Sequence, residues 1–364
     1  MTALVEEEPY ALRKADKEPR LAAELHALTD WHRARCERYG RLVSAQFPEA
    51  SGLGTGVSLE GTPFVSVRLF KQFELRSIPK EDVFKTLYSS GTTGSPSRIF
   101  LDRDSAALQS RTLVRIMQHW LGKERLPMLI ADHPGVIANR SSFSARGAGI
   151  QGLSFMGRQH TYALTDEMTL DWAALERFAE QFAAQRVLVF GFTFMVWQHV
   201  VRALESSGRK LALPEGILVH SGGWKKLEAE AVTNEHFKER VRATMGLSRV
   251  HNFYGMVEQI GAIFVECEEG RIHAPAYSDV LVRRTADWSV APHGEEGVVQ
   301  LVSSLPRSYP GHSLLTEDRG VVTGEDDCPC GRAGKTFRIV GRLPKAEARG
   351  CSDTFTSART EASP

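Results

Sequence analysis

An alternation of apolar runs and helical patterns in the middle of the chain constrains its fold most strongly. Each apolar run ends near glycine or serine, and the three units are "RVLVFGF" then "MVWQHVVRALESS", "GILVHSGG" then "WKKLEAEAVTNEHFKERVRATMG", and "RVHNFYG" then "MVEQ". Repeated strand, turn and helix units predict an α/β fold in which helices cover mainly parallel sheets. Ligands bind at the carboxyl ends of such strands. We therefore expect the turns "GFTF", "HSGGW" and "FYGMVEQ" to converge on one cleft.

The segments on either side of this alternation have different patterns. Before it, apolar residues recur at steps of three and four with charges between them, which predicts one amphipathic helix from Leu21 to Leu42. From about residue 271, short strands and turns such as "GVVQLVS" and "HSLLTEDRGVV" predict a smaller β-rich subdomain. We expect one main domain over residues 1–340, followed by a hinge remnant and a mobile tail over 341–364.

Composition excludes several classes of protein. Lys plus Arg number 45 and Asp plus Glu number 44 in 364 residues, so net charge gives no reason to expect nucleic acid as a partner. The most apolar run, residues 187–197, is shorter than the roughly 20 residues that a membrane-spanning helix needs. The N-terminus lacks the features of a secretory signal, and five scattered cysteines suit a reducing compartment. We expect a cytoplasmic protein without a membrane span.

The stretch "YSSGTTGSPS" (88–97) is a candidate phosphate-binding loop. Its glycines let backbone N–H groups turn inward, and its hydroxyl side chains add further donors for phosphate oxygens. The loop is not a P-loop of the nucleoside triphosphatase type, because no lysine follows its last glycine. The sequence Gly334-Lys335-Thr336 also fails, since Pro329 stands where that motif requires glycine. A Ser/Gly-rich surface turn is the alternative explanation for the loop alone.

The loop and four later segments resemble the nucleotide motifs of the adenylate-forming ligases. In that family a Tyr/Ser/Gly/Thr/Thr/Gly/x/Pro loop holds the phosphates of ATP. Here "HSGGW" (220–224) resembles the adenine-pocket turn, and "YGMVE" (254–258) resembles the aromatic-Gly-x-Thr-Glu motif. "TEDRG" (316–320) is similar to the Thr-Gly-Asp segment and "GR" (341–342) to the hinge. All five motifs occur in the order of the family.

The resemblance implies a role for each matching residue. Tyr254 would present an aromatic face to adenine, Asp318 would accept bonds from both ribose hydroxyls, and Glu258 would hold Mg²⁺ on the phosphates. Taken alone, each also has an ordinary structural explanation, as a core aromatic, a turn residue and a helix-start carboxylate. The other implied nucleotide contacts are Ser89, Ser90, Gly91, Thr92, Thr93, Gly94, Ser221, Gly222, Gly223, Gly255 and Arg342.

Three departures from the family pattern change the expected chemistry. Ser97 stands where the phosphate loop usually ends in lysine, and Val257 replaces the usual threonine before Glu258. The family normally has a C-terminal domain whose lysine meets the acyl-phosphate oxygen, whereas here only residues 342–364 follow Gly341. Lys345 or Lys335 would then supply the positive charge, a hypothesis based only on their position after the nucleotide motifs.

The later segments resemble one branch, the acyl-protein synthetases of the LuxE type. The similar segments are "HNFYGMVEQIGAIFVEC", "HAPAYSDVLVR", "SYPGHSLLTEDRG" and "EDDCPCGR". The branch implies that a fatty acid attacks the α-phosphate of ATP, that pyrophosphate leaves, and that a protein cysteine accepts the acyl group. Cys351 stands at the acceptor position, with Gly350 before it and Arg349 nearby to favour the thiolate. A protein of the acyl-CoA reductase type would be the partner that receives the acyl group.

Two other functions remain open at this level. In the first, the ligase would transfer the acyl group to coenzyme A or to the thiol of a carrier protein. A requirement for an external thiol would identify this alternative. A non-catalytic nucleotide-binding subunit is the alternative from another class, suggested by the short end and by the residues at 97 and 257. ATP binding without pyrophosphate exchange would favour that second alternative.

A second cluster of candidate ligands lies in the C-terminal third. Cys267 and His273 flank one turn, and Cys328 and Cys330 flank a proline in another, which gives the four ligands that a tetrahedral zinc site needs. The spacing differs from common zinc fingers. Relatives resembling phenylacetate–CoA ligases carry a structural zinc at matching positions, so we expect Zn²⁺ here. The alternative is that these cysteines are ordinary small buried residues.

Overall fold

The computed structural model describes residues 3–48, 58–89, 96–138, 145–224 and 231–343. A twelve-stranded sheet crosses the molecule in the order β11-β12-β13-β14-β10-β9-β8-β7-β6-β4-β5, with β1 paired to β13. β2 and β3 form a separate hairpin. The predicted α/β class is confirmed. The strands are β1 Val65–Ser66, β2 Lys85–Tyr88, β3 Arg98–Leu101, β4 Leu126–Ile130, β5 Gly157–Tyr162, β6 Val187–Phe192, β7 Gly216–Ser221, β8 Arg249–Gly255, β9 Ile263–Glu266, β10 Ile272–His273, β11 Ser278–Arg283, β12 Glu296–Ser303, β13 Ser313–Glu325 and β14 Lys335–Arg342.

The strands from β4 to β8 are parallel, and helices cover them. Every residue of β4 and β6 is buried, as expected for central parallel strands that are covered on both faces. A π-helical segment, Val196–Val201, joins α8 to α9. The helices are α1 Lys14–Arg35, α2 Glu37–Gln46, α3 Leu69–Gln72, α4 Arg103–Leu121, α5 Gly135–Ala138, α6 Ala145–Ser154, α7 Trp172–Phe182, α8 Thr193–Met195, α9 Arg202–Ser207 and α10 Asn234–Met245.

The strands from β9 to β14 pair antiparallel with one another and with β8 and continue the same sheet, while the short β1 pairs with β13 in parallel. The β-rich part of the chain from about residue 271 therefore shares a hydrogen-bonded ladder with the parallel half. A separate apolar cluster around Phe264, Val280 and Phe337 fills this half. β8 is the last strand of the parallel half and β9 is the first strand of the antiparallel half. The two halves of the sheet therefore adjoin at this pair of strands.

The N-terminal prediction of one helix from Leu21 to Leu42 is wrong at Cys36. There the backbone is extended (φ −120°, ψ 93°), and the chain turns from α1 into α2. The two helices come so close that a Cβ on Gly40 would lie 2.8 Å from the carbonyl oxygen of Arg33. Glycine therefore permits a contact that the apolar spacing does not reveal.

The third predicted strand–helix unit is also wrong. After β8 the chain makes a single 3₁₀ turn, Val257–Gln259, and returns antiparallel as β9, with Tyr254 opposite Phe264. Gly261 has a φ of +88°, which a residue with a side chain rarely adopts. In the second unit, the described helix begins at Asn234, where the Thr233 hydroxyl accepts from the His236 N–H at 3.2 Å. The predicted helix start at Trp224 is thus wrong as well, and residues 225–230 lie outside the described residues.

Two buried histidines join α1 to the segment before β13, and they predict loss of stability in acid. The rings of His32 and His312 stack with centroids 4.9 Å apart, and His32 Nδ1 lies 2.6 Å from Ser77 Oγ. Burial lowers the pKa of His32 to about 3 and lowers the pKa of His312 well below its usual value. Below pH ~6.5 the unfolded chain therefore binds protons that the folded chain cannot bind.

We expect the free energy of unfolding to be nearly constant above pH 7 and to fall as the pH drops below ~6.5. His32 alone should cost about 2 kcal/mol between pH 7.5 and pH 5. Urea unfolding at these two pH values measures the loss, with His293→Gln at an exposed position as the control. Equal stability at both pH values would contradict the prediction.

Candidate nucleotide site and metal centre

The hairpin of β2 and β3 supports the candidate phosphate loop. Tyr88 pairs with Arg98 in the ladder, and the Ser89 N–H donates to the Ser97 carbonyl at 3.1 Å. In return the Ser97 N–H donates to Ser89 Oγ at 2.8 Å, so both ends of the loop are fixed to each other. Ser90, Gly91, Thr92, Thr93 and Gly94 were also predicted for this site, and they lie outside the described residues.

The structure brings the three predicted turns together at the carboxyl edge of the parallel strands. Phe192 at the end of β6 pairs with Ser221 at the end of β7, and Ser221 pairs with Phe253 of β8. Gly222 follows with a φ of +86°, and a Cβ there would lie 3.3 Å from the Phe192 ring. Gly223 has open space around its Cα. A glycine is therefore needed at 222 for the turn, and the space beside it remains accessible.

Tyr254, Asp318 and Arg342 form one hydrogen-bonded group. The Tyr254 hydroxyl donates to Asp318 Oδ2 at 2.6 Å, and Arg342 Nε donates to Oδ1 at 3.2 Å. Asp318 and Arg342 are cross-strand partners in β13 and β14. Burial, followed by the charge of Asp318, raises the pKa of Tyr254 well above its usual value, so the hydroxyl remains a donor at neutral pH. Three motifs that are distant in sequence thus meet at one carboxylate.

Glu258 is a buried carboxylate beside the end of the phosphate loop. Its exposed fraction is 6%, and burial raises its pKa, while the nearby Ser97 hydroxyl and Lys71 ammonium act in the opposite direction. The neighbouring Gln259 fixes this turn by donating to the carbonyls of Leu301 and Gly311 at 3.0 and 2.8 Å. A carboxylate in this position can hold a divalent cation, because a cation offsets the cost of burying its charge.

Val257 has a packing role that explains its difference from the family pattern. Its side chain packs against the apolar cluster that contains Phe70 and Ile99. A threonine would bring a hydroxyl group into this contact, which favours apolar atoms. Gly255 pairs with Ile263 at the end of β8, and a Cβ there would approach the Ile263 side chain to 3.2 Å.

The suggestion that Lys335 provides the positive charge is wrong. Lys335 begins β14, whereas Arg342 ends it, so the two residues occupy opposite ends of a strand. The Lys335 ammonium lies 3.7 Å from Asp279 and is largely buried there. Lys345 and Cys351, which were predicted as catalytic residues, lie outside the described residues.

The four predicted metal ligands form a compact cluster. The ligand atoms of Cys267, His273, Cys328 and Cys330 all lie within 4.8 Å of one another. The Cys267 and Cys328 sulfurs are 3.7 Å apart, and Cys330 Sγ lies 3.3 Å from His273 Nε2. A tetrahedral zinc with ~2.3 Å Zn–S bonds requires sulfurs about 3.8 Å apart. The donor set and its spacing therefore fit a closed, four-coordinate zinc site.

The electrostatics of this cluster also suit a cation. Burial raises the pKa of Cys267 to about 12, so its thiolate needs a nearby positive charge. Burial acts in the same direction on Cys330, but the backbone N–H and guanidinium of Arg332 outweigh it and lower the pKa of that thiol. Burial lowers the pKa of His273 to about 4, which keeps the imidazole neutral and able to ligate.

The site also contains residues that the sequence analysis did not identify. Lys71 of α3 and Gln259 contribute to the surroundings of Glu258. Gln259 directly follows the motif at residues 254–258, so its position in the sequence could have indicated that it belongs to the site. Lys71 comes before the phosphate loop in a short helix and carries no motif of its own.

The fold is that of the adenylate-forming ligases. A 2-hydroxyisobutyryl-CoA ligase in an open conformation with its acyl-AMP and CoA is similar with a TM-score of 0.67 and 16% identity, over 92% of this chain and 76% of that one. The same ligase in the thioesterification state is similar with a TM-score of 0.68 and 17% identity, over 92% and 70% of the two chains. The chain belongs to the family "Acyl-protein synthetase, LuxE", which it matches over residues 2–360. No curated protein matches its sequence significantly.

Family membership supports an acyl-activating ligase that uses ATP and a carboxylic acid. The arrangement of the described site residues is compatible with that chemistry. Of the helices in the described parts of the chain, none is both long and apolar enough to span a bilayer.

Proposed function

We propose that this protein activates a long-chain fatty acid with ATP and transfers the acyl group to a protein cysteine. The observation that carries the adenylation half is the meeting of Tyr254 and Arg342 at the carboxylate of Asp318. A carboxylate that already holds two donors, and that is partly open to solvent, is suited to bind the two hydroxyls of a ribose. The Tyr254 ring would contact adenine.

In the first step a fatty-acid carboxylate oxygen forms a bond to the α-phosphorus of ATP. The bond from that phosphorus to the bridging oxygen breaks, and pyrophosphate leaves with the electron pair. No general base is required, because the attacking carboxylate is already ionised. Catalysis is therefore mainly electrostatic. Glu258 would hold Mg²⁺ on the phosphates, and the donors of residues 89–94 would bind the phosphate oxygens.

In the second step the Cys351 thiolate attacks the acyl carbon, a thioester forms, and AMP leaves. The Leu343 N–H donates to the carbonyl of Glu317 at 2.9 Å, which fixes the chain next to Asp318. Cys351 follows eight residues later (351 − 343), a segment that reaches at most about 28 Å when extended. That length is sufficient for the thiol to return to the nucleotide site. We further propose that the thioester supplies a reductase of the acyl-CoA type in the cytoplasm.

We also propose that Cys267, His273, Cys328 and Cys330 bind one structural Zn²⁺. Four protein ligands leave no open position for a substrate, so the metal would act on stability and not on the reaction. The cluster joins Cys267, in the turn after β9, and His273, in β10, to the turn after β13.

One experiment distinguishes the adenylation step from the transfer step. Purified protein is incubated with Mg-ATP and radiolabelled C14 or C16 fatty acid, and pyrophosphate exchange and hydroxylamine-labile protein label are followed. We expect both signals in the wild type, and we expect Cys351→Ser to lose the label while exchange continues. Cys36→Ser, at a buried cysteine between α1 and α2, is the control that should keep both.

Other outcomes identify the alternatives. Exchange without label, with acyl-CoA forming when coenzyme A is added, would identify an external thiol as the acceptor. ATP binding without exchange for any acid would identify a non-catalytic nucleotide-binding subunit and overturn the proposal.

A further inference from the structure

The turn at residues 220–224, which resembles the adenine-pocket turn of the family, is packed on one side and open on the other. On the packed side, a Cβ at Gly222 would lie 3.3 Å from the Phe192 ring. At Gly223, no atom of the described residues apart from its chain neighbours lies within 4 Å of the corresponding position. Both glycines are exposed. A flat ring can therefore approach the turn at Gly223, while the opposite side is fixed by packing.

Thr193, the first residue of α8, connects this helix to the end of β7. Its Oγ1 lies 2.9 Å from His220 Nδ1 and 3.2 Å from the carbonyl oxygen of Ser221. The pairing of Phe192 with Ser221 in the sheet brings the chain after β6 to this position. Thr193 and His220 are both buried, so water competes little for these hydrogen bonds.

The two hydrogen bonds can form together in only one arrangement. A threonine hydroxyl has one proton to donate, and its lone pairs can accept. When the Thr193 hydroxyl donates to the Ser221 carbonyl, it must accept from an N–H at His220 Nδ1. Burial lowers the pKa of His220 to about 3, so the ring is neutral at pH 7 and carries the single proton that this arrangement needs. The three residues thus form a directed chain of hydrogen bonds that ends on the backbone of the turn.

The other end of the turn is held by aromatic packing. The rings of Trp224 and Trp197 meet edge to face with centroids 5.5 Å apart, and both lie near Phe237 of α10. Trp197 belongs to the π-helical segment Val196–Val201, and such segments occur frequently at functional sites. Residues 193 and 197, which are one helical turn apart, therefore hold the two ends of the turn.

We propose that Thr193 is a positioning residue for the base of ATP, because its hydroxyl fixes the backbone at Ser221 and thereby the turn that receives adenine. The inference rests on the proposed function and on the resemblance of residues 220–224 to the adenine-pocket turn. Thr193 would not contact the nucleotide, since its hydroxyl is already bonded to His220 and Ser221. Its effect should therefore fall on binding of the base, and not on binding of the phosphates.

Thr193→Val removes the hydroxyl and keeps the shape of the side chain, whereas Thr193→Ser keeps the hydroxyl. In calorimetry we expect Thr193→Val to weaken the binding of Mg-ATP and of AMP by about 5- to 10-fold, the change that one neutral hydrogen bond produces. Binding of inorganic tripolyphosphate, which has no base, should stay as in the wild type. Thr193→Ser should recover most of the affinity for both nucleotides.

Two further variants complete the comparison. Thr193→Ala removes the hydroxyl without placing a methyl group beside His220, and it should show the same selective loss as Thr193→Val. Thr244→Val is the matched control, because Thr244 is also a buried threonine and its hydroxyl donates to the Arg240 carbonyl at 2.7 Å within α10. It should bind ATP, AMP and tripolyphosphate as the wild type does.

Wild-type affinity for Mg-ATP and AMP in Thr193→Val and Thr193→Ala would overturn the inference. An equal loss for tripolyphosphate would also overturn it, because the substitution would then damage the whole site. Equal losses in Thr193→Val and Thr193→Ser would show that the hydroxyl is not the property that matters. These measurements need no turnover. If the wild type shows no pyrophosphate exchange but its binding of ATP depends on Thr193, the proposed activity fails and the role of Thr193 stands.

Discussion

Asp318→Ala is expected to reduce the kcat/KM for ATP in pyrophosphate exchange by at least about 100-fold, since two hydrogen bonds to a charged group are each worth roughly 1.5–3 kcal/mol. The substitution removes the acceptor of both Tyr254 and Arg342. The Tyr254 hydroxyl would then lose its partner in a partly buried position. The carboxylate that we propose for the ribose hydroxyls would be absent as well.

A graded comparison distinguishes this effect from general damage. Tyr254→Phe removes only one of the two donors to Asp318 and keeps the aromatic ring, so we expect a smaller loss, about 10-fold. Asp287→Ala removes an aspartate from an exposed turn and should leave exchange unchanged. A normal KM for ATP in folded Asp318→Ala protein would rule out the ribose role.

Most of the parallel half of the fold could be predicted from the sequence. The runs that became β6, β7 and β8 are apolar, bounded by turn residues and separated by longer segments, which is sufficient to predict parallel strands. Their carboxyl ends then had to lie at one edge. The turn at Gly261 could not be predicted, because a short reversal into β9 depends on a backbone conformation that the apolar pattern does not report.

The order of the motifs along the chain was sufficient to predict a nucleotide site. It did not show how the motifs come together in space. Tyr254 on β8 and Asp318 on β13 belong to opposite halves of one sheet and to strands that are not neighbours, yet their side chains meet in a 2.6 Å hydrogen bond, which the order of the motifs along the chain does not reveal. The same reason explains the error at Lys335. Position in the sequence placed it after the nucleotide motifs, whereas the length of β14 places it at the far end of the strand.

Lys71 shows the other limit of sequence reasoning. A lysine in a four-residue helix has many ordinary explanations, and no motif distinguishes it. Its position depends on a strand pair between β1 and β13, which are about 250 residues apart in the chain (314 − 65). Contacts of such long sequence separation are not encoded in local periodicity.

Loss of the proposed zinc is expected to have the largest effect on stability. Structural zinc sites bind with apparent free energies of about 10–16 kcal/mol in small domains, whereas a whole domain is stable by only about 5–15 kcal/mol. The cluster also supports the N-terminal segment, because the Tyr10 ring lies 6.0 Å from the His273 ring and the Ala333 N–H donates to the Tyr10 carbonyl at 3.0 Å. Without metal, we expect this segment and both ligand turns to separate.

Cys328→Ser should therefore lose bound zinc and melt at a clearly lower temperature than the wild type, and a strong chelator should produce the same change in the wild type. Elemental analysis should give one zinc per chain in protein purified without chelator. Cys36→Ser is the matched control, because it removes a buried thiol that lies outside the cluster. Protein that contains no zinc, or Cys328→Ser that keeps the full zinc content, would contradict the site. A stable apo-protein would instead mean that the four side chains pack as ordinary buried groups, since burial keeps Cys267 protonated and His273 neutral without a metal.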